Sequence, residues 1–204
     1  MPRIADRFRG FLPVVVDLET GGFDPKTNAL LEVAACIVRM DDFGRLKVAE
    51  TVDVKVAPFA GAKLDPASLE FNGIDMDQHL ETALPEKEAL QQLCRPIRQE
   101  VRDTGCQRAI MVAHNPAFDL AFWNAAVERT GFKRSPFHPF SSFDTATLGG
   151  LAFGQTVLSR AVEAAGLEFS EDEAHSAAYD AQKTAELFCT IVNRWKIATG
   201  FPDD

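Results

Sequence analysis

The chain has 204 residues, 46% of them hydrophobic, and carries a net charge of −9. This fits one compact domain spanning 1–204, and no apolar run approaches the roughly 20 residues that cross a bilayer. The opening MPRIADRFRG has no apolar leader core, so a cytoplasmic location is expected. The acidic balance argues against a nucleic-acid partner unless cations cluster locally.

In chain order, FLPVVVDLE predicts a first strand over 11–19, with three valines running into Asp17. ALLEVAACIVRM predicts a second, buried strand over 29–40. Val52, Val54 and Val56 alternate with polar neighbours in a half-buried third strand over 50–59, and Gly44 marks a hairpin between the two. Asp65 followed by Pro66 predicts a helix start, with Gly73 near the stop. A longer helix is expected over 85–103, and a fourth strand over 108–114.

Asn115 as cap, Pro116 at the first position and Gly131 as stop frame the next helix. SSFDT predicts a short strand, and TVLSRAVEAAG a helix ended by Gly166. The last helix is expected over 176–198, with Phe188, Ile191, Val192 and Trp195 at core spacing. A hairpin followed by alternating strands and helices predicts an α/β fold whose sheet is partly parallel and partly antiparallel. Cys36, Cys94, Cys106 and Cys189 lack metal-ligand spacing and read as reduced thiols.

The acids raise a question that the elements do not. Asp17 and Glu19 lie two apart, so on a strand they share a face. Asp119 is the only charged residue in the largely apolar stretch 116–127, and Asp180 follows His175 into the last helix. Taken singly, each has an ordinary reading: a solvated strand end, a first-turn acid favoured by the helix dipole, a surface helix acid. Gathered at the carboxyl end of the first strand, each pair ~4 Å apart would repel by roughly 4 kcal/mol at an effective dielectric near 20. Such a cluster takes up protons or holds cations. Oxygen donors with one histidine suit Mg²⁺ or Mn²⁺.

The segments VDLETGG, AHNPAFDLAF and HSAAYDAQKTAELF resemble, in order, the three motifs of the DEDD 3′-to-5′ exonuclease superfamily. The histidine five residues before the last aspartate matches its DEDDh subclass. EFNGID, RAIMVAHN and PFHPFSSFDTATLGGLAFGQTVLS are similar to one bacterial RNA-trimming branch of it. The resemblance implies a ribonuclease H-like mixed β-sheet flanked by α-helices. It also implies two Mg²⁺ (or Mn²⁺) ions held by Asp17, Glu19, Asp119 and Asp180, with His175 as general base. Release of nucleoside 5′-monophosphates from 3′ ends of tRNA and ribosomal RNA precursors would follow, with single-stranded DNA as a further substrate.

There are 16 Phe but one Tyr and two Trp. The resemblance gives Phe23, Phe71, Phe118 and Phe140 the role of stacking on terminal bases. It also makes Arg7, Arg9, Arg108, Lys133 and Arg134 a patch for the body of the substrate, facing the partner's active site in a homodimer. At one position the chain departs from the branch: Ala67 stands where an acidic residue is expected. Competing readings are a DNA-directed proofreading or repair exonuclease, a metal-independent glycoside hydrolase using two carboxylates, and a non-catalytic nucleic-acid adaptor. The last would have lost motif acids that this chain retains.

Overall fold

A computed structural model describes residues 2–200. Its strands are β1 (Phe11–Thr20), β2 (Leu30–Met40), β3 (Leu46–Ala57), β4 (Leu84–Pro85), β5 (Arg108–Ala113) and β6 (Phe137–Asp144). They form one mixed sheet in the order β4-β3-β2-β1-β5-β6. β1, β2 and β3 run antiparallel in turn, while β5 lies parallel to β1 and β6 to β5. This is the expected mixed α/β sheet.

Leu12, Val14, Val15 and Val16 are fully buried, although alternate residues face opposite sides of a sheet. Both faces are therefore covered. One set of helices is α4 (Glu86–Asp103) and α5 (Pro116–Thr130); the other is α6 (Thr145–Phe153), α7 (Leu158–Ala164) and α8 (Ala177–Thr199). Short helices α1 (Ile4–Arg7), α2 (Pro66–Phe71) and α3 (Met76–Leu80) complete the set among the described residues. Phe122, Trp123 and Phe188 are among the largest fully buried side chains. Arg129 of α5 is clamped by both oxygens of buried Glu86 at the start of α4, and its guanidinium lies 3.9 Å from the centre of the Phe59 ring.

Four expectations need correction. Trp195 is 56% exposed, because the end of α8 has run beyond the core that Phe188 and Ile191 reach. Asn115 does not cap α5 through its side chain; it adopts the left-handed conformation, and its own amide is held by Asp144 Oδ1 at 3.1 Å. The strand expected at SSFDT begins earlier, at Phe137, through a bulged register against β5. The helix expected from Pro85 begins at Glu86, since Pro85 closes the two-residue strand β4. Helix α6 has no counterpart among the expected elements: Gly149 and Gly150 weaken any periodic signal. A Cβ on Gly149 would lie 2.8 Å from the Gln155 carbonyl oxygen, so close packing requires the glycine.

Candidate active site

β1 carries Asp17 opposite Ala34 of β2, and Glu19 opposite Glu32. The ladder shifts register just after Glu19, and the chain leaves through Gly21 and Gly22. Gly22 has φ +146, and a Cβ there would meet the Asn28 side chain at 2.4 Å. The turn that ends the acid-bearing strand therefore depends on that glycine.

Asp119 is placed by the first turn of α5 and is 5% exposed. Asp180 is placed by the first turn of α8, and its Oδ2 accepts the backbone N–H of His175 at 3.0 Å. Its Oδ1 is buried and has no hydrogen-bond partner among the described residues. One carboxylate oxygen from each of Asp17, Glu19 and Asp180 lies within 4.8 Å of the others.

Burial is the first cause of an upward pKa shift in all four acids. Asp17 is raised well above the usual range, with the charges of Asp119, Glu19 and Asp180 adding to desolvation. Glu19 is pushed up to about 8 by burial, then by Asp180, Glu32 and Asp119. Burial pushes Asp119 up to about 7, opposed by its backbone hydrogen bond. Asp180 is raised by burial, with the His175 amide and ring pulling the other way. A clustered, desolvated set of oxygen donors with an orphaned oxygen fits a hard divalent cation.

A stability prediction follows from the direction of these shifts. In the folded, metal-free protein these groups hold protons that the unfolded chain releases from about pH 4 upward. The folded state thus binds more protons, and metal-free stability falls as pH rises to about 8, where Glu19 ionises. Melting curves in chelator from about pH 5 to pH 9 should show a falling midpoint, largely restored at the high end by a divalent cation. A midpoint rising across that range would contradict the cluster.

Asp17, Glu19 and Asp180 open into a groove of about 440 Å³, lined also by Phe23, Phe71, Phe118 and His175, while Asp119 lies outside that lining. Phe23 and Phe71 are 83% and 65% exposed, and the Phe71 ring lies 4.2 Å, centre to centre, from that of His175. His175 is itself exposed and left-handed at φ +66, an unusual backbone for a non-glycine residue. Ala67 also lines the groove, offering a methyl group where a carboxylate would offer a hydrogen-bond acceptor.

Phe140 is 79% exposed but lies outside that lining. The basic residues lie outside it too. Arg108 is in register with Phe11, at the start of β1, whereas Asp17 and Glu19 stand near its end. At about 3.3 Å per residue, roughly 20 Å of strand separates Arg108 from Asp17. Arg7 and Arg9 precede β1, and Lys133 and Arg134 precede β6, so all three segments gather at the end of the parallel strands away from the acids. Arg7 is half-buried, and its Nη2 donates to the Val192 carbonyl of α8 at 3.4 Å. Lys133 and Arg134 share a groove with Lys87, Arg95 and Arg98, and none of these five forms an ion pair among the described residues.

Two positions near the site lie outside the sequence expectations. Asn72 lines the groove and donates to the Thr20 carbonyl at 3.2 Å. His114 is held by Thr145 Oγ1 at 3.0 Å and the Thr156 carbonyl at 2.8 Å, locking the end of β5 to the segment before α7. The AHN tripeptide, which ends in the α5 cap residue Asn115, is the only sequence signal for His114.

The RNase T exonuclease family matches residues 14–188. The chain is 59% identical to "Ribonuclease T" of Hahella chejuensis over 201 residues, 98% of this chain and 92% of that one. It is 56% identical to "Ribonuclease T" of Salmonella choleraesuis over 199 residues, 98% and 93% of the two chains. Among solved structures it is similar to E. coli exonuclease I in complex with a dT13 oligonucleotide, with TM-score 0.66 and 16% identity. That match covers 94% of this chain and 43% of the other. It is also similar to a full-length 3′-exonuclease, with TM-score 0.70 and 14% identity over 91% of this chain and 62% of that one. At those identities the structural likeness speaks for the fold.

Proposed function

The chain belongs to the RNase T exonuclease family, and on that premise we propose how this 3′-to-5′ exoribonuclease is built and what it trims. The observation that carries the reading is the cluster of Asp17, Glu19 and Asp180, buried or half-buried with raised pKa values, opening into a groove lined by the exposed Phe23 and Phe71. Asp17, Glu19, Asp119 and Asp180 would hold two Mg²⁺ ions, with Mn²⁺ as a substitute. Bound there, the cations supply charge stabilisation at the scissile phosphodiester and a more acidic water.

The side chains do the rest. Phe23, Phe71 and Phe118 stack on unpaired bases at the 3′ end, each worth roughly 1–3 kcal/mol, and hold the last phosphodiester over the acids. His175, exposed at the groove, takes the proton of the attacking water on an imidazole nitrogen. The bond from phosphorus to the 3′ oxygen of the penultimate nucleotide breaks, and a nucleoside 5′-monophosphate leaves.

The substrates are short single-stranded 3′ ends of structured RNA, tRNA and ribosomal RNA precursors, with single-stranded DNA accepted as well. Residues 1–204 act as one exonuclease domain. The described residues include no helix long and apolar enough to cross a membrane, and a cytoplasmic site of action is part of this reading.

The separation of cations from acids along β1 favours a homodimer in which Arg7, Arg9, Arg108, Lys133 and Arg134 serve the partner's active site. An apolar groove of about 690 Å³ beside Arg7, lined by Leu151, Phe153 and Trp195, supports such pairing. Neutralising Arg7, Arg9 and Arg108 together should weaken binding of tRNA-like substrates. It should also flatten the salt dependence of binding, by about 0.7 log units of affinity per log unit of salt for each phosphate of a single strand that is no longer neutralised. Cleavage of a very short oligonucleotide should suffer much less. Mixing this triple variant with Asp17→Asn should restore some activity, because one site of the mixed dimer keeps its acids and faces an intact patch. Subunits shown to have exchanged without any rescue would remove the trans arrangement. Matched RNA and DNA overhangs, compared by rate, separate this reading from a DNA-directed exonuclease.

A further inference from the structure

Phe140 stands apart from the other aromatic residues of the proposed substrate path, and the local backbone explains how it is held out. β6 is in register with β5 at Phe137, opposite Ala109, and again at Ser142, opposite Met111. Residues 138–141 therefore stand against Ile110 alone, in a wide bulge that carries Pro139 and the exposed Phe140. Bulged residues lose ladder partners, and their amides need other acceptors. His138 supplies one. Its Nδ1 accepts the Ser141 N–H at 2.9 Å and, more weakly, the Phe140 N–H at 3.4 Å. Two N–H donors converging on Nδ1 require a lone pair there, which puts the ring proton of the neutral imidazole on Nε2.

The same imidazole meets the Phe140 ring edge to face, with centroids 4.5 Å apart at 86°, and also meets Phe11 of β1 at 5.6 Å and 86°. Asn124 of α5 steadies the bulge from its flank, donating to the Pro139 carbonyl at 3.3 Å. Phe140 is thus 79% exposed yet tied through one histidine to the sheet.

We propose that His138 is a positioning residue for substrate binding: it folds the 138–141 bulge and sets the Phe140 ring so that its free face meets a nucleobase of the single-stranded 3′ end. This rests on the reading of Phe140 as a stacking residue. A ring ordered in advance does not lose its freedom on binding, so the effect falls on affinity and not on the chemical step.

The test measures KM and kcat on an RNA with a single-stranded 3′ overhang for His138→Leu, His138→Asn, Phe140→Ala and the His138→Leu/Phe140→Ala double variant. His138→Leu should raise KM about 3- to 10-fold with kcat within about twofold. His138→Asn, whose side-chain oxygen can accept the same amides, should recover most of the loss. Phe140→Ala should raise KM at least as much, and His138→Leu should then add nothing. An unchanged KM in His138→Leu, no recovery in His138→Asn, or additive effects in the double variant would each overturn the proposal. An unchanged KM in Phe140→Ala would instead overturn the stacking reading beneath it. A measurement on the unaltered protein guards against a variant that fails to fold: imidazole ¹⁵N shifts should report the Nε2–H tautomer for the neutral ring of His138. A neutral ring protonated on Nδ1 would overturn the proposal.

Discussion

Asp17→Asn should leave the sheet intact and remove nearly all turnover, by at least about 10³-fold in kcat. Asp17 is central to the cluster electrostatically, with its carboxyl raised by burial and by all three other acids. An amide keeps the shape and hydrogen-bonding capacity of the side chain but offers no charge to a cation. The same change removes the carboxyl whose ionisation Asp119, Glu19 and Asp180 oppose. The metal-free variant should therefore melt higher than the parent at about pH 8, and its midpoint should depend less on pH. Steady-state rates in Mg²⁺ and melting curves in chelator read the two halves of this expectation. Activity near normal in Mg²⁺ would remove Asp17 from the metal site.

The second large effect is at His175. His175→Ala should lose about 10²–10⁴ in kcat, the range for a positioned general base, with KM changed little. The backbone complicates the alanine variant. His175 sits at φ +66, a conformation that alanine tolerates poorly and asparagine well, and its amide holds Asp180 Oδ2. His175→Asn therefore removes the imidazole while keeping the backbone that orients Asp180. A similar kcat loss in both variants assigns the effect to the imidazole. A loss confined to His175→Ala would assign it to the loop geometry, and a collapse of binding with kcat preserved would make His175 a substrate contact.

The acids were legible for a physical reason. Three valines ending in Asp17, and Asp119 as the only charge in residues 116–127, are local violations of burial that need compensation. β1 and β2 carry long apolar stretches, α5 has a proline start and a glycine stop, and α8 keeps helical spacing through Ile191. Less could be read where a residue's surroundings come from distant chain. Asn115 is held by Asp144, 29 residues away, and His114 by the Thr156 carbonyl, 42 away. Phe140 owes its place to the register of β6 on β5, which no periodicity in PFHPF reveals. Trp195 fits the helical spacing, but spacing does not say where the sheet beneath a helix ends.

The most direct test of the account follows the 3′ end itself. A 5′-labelled, tRNA-like RNA with a short single-stranded 3′ overhang is incubated with the protein in Mg²⁺ and, in parallel, in chelator, and lengths and released products are resolved together. The account predicts shortening one nucleotide at a time from the 3′ end, release of nucleoside 5′-monophosphates, and no shortening in chelator. Shortening that survives chelation, or release of 3′-phosphorylated products, would contradict metal-dependent hydrolysis at the Asp17, Glu19, Asp119 and Asp180 cluster.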